Sequence, residues 1–170
     1  MNEKQEKKIK KLREKVEEDS NELQSIVDNI IEPYTKELDE YVEWVKSIVT
    51  NYQDPPTSEE LDDITMTLSV LIYSASGMQE QLGIRDDISK AVYKEMYHSA
   101  RDSIDKGTVA DKNSLAELAT QEEALVSMLY KRAYNMVKAK VSAAQEILAS
   151  IKKIVSRRMA EMELTRIGGN

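Results

Sequence analysis

From Thr108 to Ile167 the chain contains neither glycine nor proline. A run of that length without a breaker is compatible with little except helix. Roughly 50 continuous helical residues would extend about 75 Å, far more than a domain of this size needs. The rest of the chain is punctuated just as sparingly, with five Gly and three Pro in 170 residues. Pro33, Pro55, Pro56, Gly83, Gly107 and the Gly168–Gly169 tail stand where the hydrophobic period breaks, and Gly77 alone lies inside a periodic segment. There is no strand alternation and no internal repeat. Charged residues make up 32% and aromatics 5%, with no Phe, so the apolar positions fall to Leu, Ile, Val, Met and Tyr. That is the composition of long helices. The expected fold class is all-α: an elongated helical bundle or coiled coil with long N- and C-terminal helices.

The periodicity divides a single helical domain, residues 1–170, into three parts. Residues 1–52 read as a coiled-coil arm. Ile9, Leu12, Val16, Leu23, Ile26 and Ile30 form a heptad stripe with Asp19 at the remaining seam position, and these six apolar residues are the expected oligomer interface. Pro33 bends or ends that helix, and the stripe resumes one position later at Ile31, Tyr34, Leu38, Tyr41, Val45, Ile48 and Tyr52. Gln53-Asp54-Pro55-Pro56 is a firm break. Thr57 with Glu60 then makes a capping box. Residues 57–107 read as two central helices: Leu61, Ile64, Leu68, Leu71, Ala75, Met78 and Leu82, ended by Gly83, then a shorter one capped by Asp86 or Asp87 and ended by Gly107. Residues 108–167 read as the long basic C-terminal helix, starting near Asp111 or Asn113.

Charge is unevenly placed. The chain carries −7 overall, yet Lys131–Arg158 has eight basic residues and one acidic. The acid is concentrated in residues 33–63, with nine acidic residues against two basic. On a helical projection Lys131, Arg132, Lys138, Lys152, Lys153 and Arg157 fall within an arc of about 160°. The apolar residues Leu129, Ala133, Met136, Ala144, Ile147, Ile151, Ile154 and Met162 cluster on the opposite side. Lys140 and Arg158 break the order, since both project into the apolar stripe. Either they snorkel at the edges of a packed interface, or the stripe lines a subunit contact where they meet carboxylates or a channel. The basic arc itself has two readings: it neutralises the acidic segment, or it is a strip for phosphates. Tyr130 and Tyr134 flank its start and are placed either to stack on bases or to join the core.

Catalytic signatures are missing. The chain has no Cys, which removes disulfides, thiolate metal sites and cysteine nucleophiles. There is no phosphate-cradling glycine loop, dinucleotide fingerprint or Ser-His-Asp set. Glu95-Met96-Tyr97-His98 has the Glu-x-x-His spacing of carboxylate-bridged metal bundles, but such sites take that pair twice with two further Glu, and His98 is the one His of the chain. We therefore expect no enzyme, no cofactor, no metal and no small-molecule substrate. Residues 1–20 show no secretory signal. The least charged stretch, between Asp63 and Glu80, is too short and too polar to span a bilayer, so no membrane partner and a cytoplasmic location are expected.

Ile147-Leu148-Ala149-Ser150-Ile151-Lys152-Lys153-Ile154-Val155-Ser156-Arg157-Arg158, closed by Gly168-Gly169-Asn170, resembles the end of the phage UvsY-type recombination mediators over residues 108–170. The resemblance implies an oligomeric accessory protein of the host cytoplasm that binds single-stranded DNA and loads a recombinase, without catalytic residues. Lys152, Lys153, Arg157 and Arg158 would contact DNA. Together with the arc this gives Lys131, Arg132, Lys138, Lys152, Lys153, Arg157 and Arg158 as candidate nucleic-acid contacts, and self, single-stranded DNA and a recombinase as expected partners. The alternative is a coiled-coil structural or adaptor protein whose partner is another protein.

Overall fold

A computed structural model describes residues 3–51 and 53–168 of the chain. The described residues form four helices and no strand: α1 Glu3–Val49, α2 Ser58–Asp102, α3 Val109–Ala119 and α4 Gln121–Gly168. The fold is all-α, with long first and last helices. Tyr52, the last expected stripe position of α1, lies outside the described residues.

The helix boundaries follow local chemistry. Asn51 and the Gln53–Pro56 break end α1. Thr57 then opens α2: its amide donates to Glu60 Oε2 at 2.7 Å, and the Glu60 amide returns the bond to Thr57 Oγ1 at 3.2 Å. Gly107, at φ +123°, turns the chain between α2 and α3, a backbone region open to glycine. Thr108 and Asp111 cap α3 with the same reciprocal pair of bonds.

Two sequence expectations need correction. The chain does not break at Gly83; residues 57–107 hold one long helix rather than two, and Asp86 and Asp87 lie inside it. Nor is the final helix continuous. It divides at Thr120, whose Oγ1 donates to the Ala116 carbonyl at 2.9 Å and whose own carbonyl accepts from Ala124. A threonine hydroxyl bonding four residues back competes with the helix ladder. Of the two readings at Pro33, the helix does not end there: α1 runs through it, although proline there deprives the Asn29 carbonyl of its amide partner.

The chain forms two compact units. The first comprises residues 1–32 and 82–134, the second residues 33–81 and 135–170. The divisions fall beside Pro33 on α1 and beside Gly83 on α2. The first unit buries Val27 and Ile31 of α1, Leu82 of α2, Ala116 of α3, and Leu129 and Ala133 of α4, together with the polar Asp86, Thr120 and Ser127. The second buries Leu38 and Val45 of α1; Leu61, Ile64, Leu68, Ile72 and Ala75 of α2; and Val137, Val141, Ala144 and Ile151 of α4. Its spacings of three, four and seven residues on three helices are the pattern of a packed helical bundle.

Candidate nucleic-acid interface

Within the second unit the packed stripe of α4 decides where its cations go. Val137, Val141, Ala144 and Ile151 are buried, while Met136, Ile147 and Ile154 are half-buried and Met162 is exposed. The core stripe therefore lies about 55° further round the helix than the sequence projection places it. Lys138, Lys152, Lys153 and Arg157 stand away from it, and all four are exposed. Arg157 has an intrahelical neighbour, Glu161, at 3.6 Å. Among the described residues Lys138, Lys152 and Lys153 have no ion-pair partner.

The same rotation explains the two anomalies. Lys140 and Arg158 sit at the edge of the core stripe, not in its middle. Lys140 Nζ bonds Asp39 Oδ2 of α1, and Arg158 donates to the carbonyl of the buried Pro56. Both bring their aliphatic stems over the apolar stripe and find oxygen at its rim, as long cationic side chains do. Arg158 is thus half-buried and engaged within its own unit, unlike the other candidate contacts. Beyond it, Arg158 and Arg166 of α4 line an open cleft of about 560 Å³ with Ser58, Glu161, Met162 and Thr165.

Lys131 and Arg132 belong to the first unit, where both are exposed on α4. The flanking tyrosines are half-buried there. Tyr134 packs where Gly83 leaves room: a Cβ built on that glycine would lie 3.4 Å from the Tyr134 ring. Tyr130 lines a cleft of about 470 Å³ with Ile88 and Val92 of α2 and Val126 of α4. The Tyr134 ring is thus placed against α2, while the Tyr130 ring faces an open cleft.

The remaining charged groups are structural. Lys90 is held above its ordinary range by its hydrogen bond to Asp86, at 2.6 Å. Glu60 and Asp111 are held below theirs by the capping bonds to Thr57 and Thr108. Glu95 and His98 are both exposed, with His98 against the edge of the Tyr97 ring at 5.6 Å. Among the described residues no three His, Cys, Asp or Glu side chains are grouped to hold a metal ion, and no helix is long and apolar enough to cross a membrane. No family model, curated protein or solved structure matches the chain.

Proposed function

We propose that this chain is a non-enzymatic accessory protein that assembles with itself and binds single-stranded DNA, with Lys138, Lys152, Lys153 and Arg157 as its principal phosphate contacts. The observation that carries this reading is a neutralisation that does not happen. The second unit holds both the most acidic segment, residues 33–63, and four of the six cations of the arc. Yet of the cations on this stretch of α4, Lys140 takes an Asp of that segment as its partner, and the arc remains in solvent. A solvated cationic face on a protein of net charge −7 concentrates positive potential where a polyanion can use it. The resemblance of residues 108–170 to UvsY-type mediators supports a role in loading a recombinase. Lys131 and Arg132 are secondary contacts in this proposal, and Arg158 is withdrawn from the contact set by its bond to Pro56.

Binding to a labelled single-stranded oligonucleotide across a salt series tests the proposal. Each lost phosphate contact should reduce the slope of log affinity against log salt by about 0.7 on single strands. Replacing Lys138, Lys152, Lys153 and Arg157 with Gln should therefore lower the slope by roughly 3. Wild-type protein that fails to bind at about 50 mM salt, or a fourfold variant with an unchanged slope, defeats the reading.

A protein partner is the second reading, and one observation favours it. Ile84, Ile88, Val92 and Met96 of α2 in the first unit are all exposed at steps of four residues. In that case α4 would be a solvated face, and the fourfold variant would bind its partner as well as wild type does.

A further inference from the structure

Two apolar stripes run along the first unit's part of α1, and only one is buried. Val27 and Ile31 are 2% and 3% exposed, in the core of the unit. The heptad seam lies one residue earlier, about 100° round the helix. Its Ile26 is 38% exposed, and Leu12 and Val16 reach 55% and 65%. Leu23 and Ile30 are half-buried, and every side chain from Gln5 to Glu22 is exposed. Ile9, Leu12 and Val16 even border a shallow apolar hollow with Arg13, Glu17, Ser20 and Asn21. Intramolecular packing has thus claimed one stripe of this segment, covers Leu23 and Ile30 of the 3.5-residue seam in part, and leaves Ile9, Leu12, Val16 and Ile26 exposed. A seam of that period is the geometry that mates with another helix.

The charges along the seam say which helix fits. In a parallel pair of identical chains Asp19 would face Asp19 in one apolar layer. Lys8, preceding the seam at Ile9, would face Arg13 of the other copy. Both juxtapositions repel. In an antiparallel pair centred between Glu17 and Glu18, Ile9 meets Ile26, Leu12 meets Leu23, and Val16 meets Asp19. The two carboxylates are then kept apart. Lys15 of each copy comes beside Glu22 of the other, twice by symmetry, and Lys8 beside the neutral Asn29. Opposite charges at these flanking positions set orientation and partner, and a two-fold contact of this kind is self-complementary.

We infer that residues 5–30 of two copies of this chain pair as an antiparallel coiled coil through Ile9, Leu12, Val16, Leu23, Ile26 and Ile30. The inference deepens the self-assembly part of the function proposed above and rests on that part alone; it is independent of DNA binding.

The chain has no Cys, so Leu12→Cys and Leu23→Cys can be made separately in the full-length protein and treated with a short bis-maleimide. In the antiparallel pair two copies of position 12 stand roughly 16 Å apart along the axis, beyond a shorter linker. Each variant alone should stay uncross-linked, and an equimolar mixture should give the mixed dimer. Efficient self-linkage of each variant alone would show a parallel pair and overturn the orientation while leaving self-assembly standing. Light scattering supplies the second arm. Wild type should have an even multiple of 19.4 kDa, and the doubly charged variant Leu12→Asp, Val16→Asp should halve it, with helicity followed by circular dichroism. A monomeric wild type at tens of micromolar overturns the pairing and the self-assembly reading together. A variant that keeps its helix content and its wild-type mass overturns the pairing alone.

Discussion

The two units of this chain solve the same packing problem unequally. The second fills its interior with large aliphatic residues, among them Leu38, Leu61, Ile64, Leu68, Ile72 and Ile151. The first has Leu82, Val27, Ile31 and Leu129, and otherwise relies on Ala116, Ala133, Thr120, Ser127 and the carboxylate of Asp86. Asp86 Oδ1 is buried without a hydrogen-bond partner, while its Oδ2 accepts from Lys90 at 2.6 Å. Meanwhile the first unit leaves the seam of α1, the Ile84–Met96 row of α2, Leu115 and Leu118 of α3, and Leu125 and Val126 of α4 in solvent. The second unit also exposes Trp44, Met66, Val70 and Tyr73 and, near the end of α4, Met159, Met162, Leu164 and Ile167, so the units differ in how their interiors are filled rather than in whether apolar surface is exposed. The second unit packs large aliphatic residues and shows its cations. The first packs smaller and more polar ones.

The largest expected effect tests that asymmetry directly. Leu68 is fully buried, and Leu68→Ala should cost about 2–5 kcal/mol through lost transfer energy and a residual cavity. Ile88→Ala, on the exposed row of the first unit, should fall within about 0.5 kcal/mol of wild type. Urea denaturation of both variants reads the difference. Comparable losses would mean that the row of α2 is already covered in solution and that the contrast between the units belongs to the isolated chain only.

How much of this was legible in the sequence depends on which force set each feature. The Gln53–Pro56 break and the Thr57–Glu60 box were readable because backbone chemistry alone fixes them. So were Leu38, Val45, Leu61, Ile64, Leu68 and Ile151, which sit at the centre of their stripes. Gly83 misled because one glycine in a helix costs only about 1 kcal/mol against alanine, less than the packing of Leu82 next to it. The division at Thr120 has no Gly or Pro to announce it. Its local cause is the Thr120 hydroxyl bonded back to the Ala116 carbonyl, which no sequence pattern announces. The exposed basic arc was legible from helical period. The rotation that places Lys140 at the rim was not, because Met136 and Val137 are equally apolar and only their neighbours choose between them.

Caps give the next tier, and each unit has one. Thr57→Ala in the second unit and Thr108→Ala in the first should each lower stability by about 1 kcal/mol. If the first unit is held less firmly, its cap should act locally. Hydrogen exchange would then quicken over α3 in Thr108→Ala, while Thr57→Ala would lower the global transition of its unit. Exchange that quickens uniformly in both variants would show that the units unfold together.

Glycines sharpen the comparison in the opposite direction. Gly77, exposed on α2 in the second unit, has open space where a Cβ would stand. Gly77→Ala should raise stability by about 0.5–1 kcal/mol by improving helix propensity and reducing the freedom of the unfolded chain. Gly83→Ala in the first unit places its methyl 3.4 Å from the Tyr134 ring, ordinary contact. It should gain less than Gly77→Ala by whatever Tyr134 must yield. A thermal midpoint lower than wild type for Gly83→Ala would show that the ring is held tightly and that the first unit is better packed than its small residues suggest.

The smallest effect concerns acid. Glu60 and Asp111 have lowered pKa values because their carboxylates accept the capping bonds of Thr57 and Thr108. A carboxylate that titrates lower in the folded than in the unfolded chain stabilises the fold above the ordinary carboxylate range. It loses that contribution as pH falls through its lowered value. Both helices should therefore weaken on acidification, and both groups lie at the surface, so the change is small. Lys90 behaves oppositely: Asp86 raises its pKa, and its contribution disappears only as pH rises through that raised value. Glu60→Gln and Asp111→Asn should flatten the acid limb of the melting temperature between pH 5 and pH 2, each by part of the wild-type slope, and leave the alkaline limb unchanged. An acid limb as steep in the double variant as in wild type would assign the acid loss to other carboxylates.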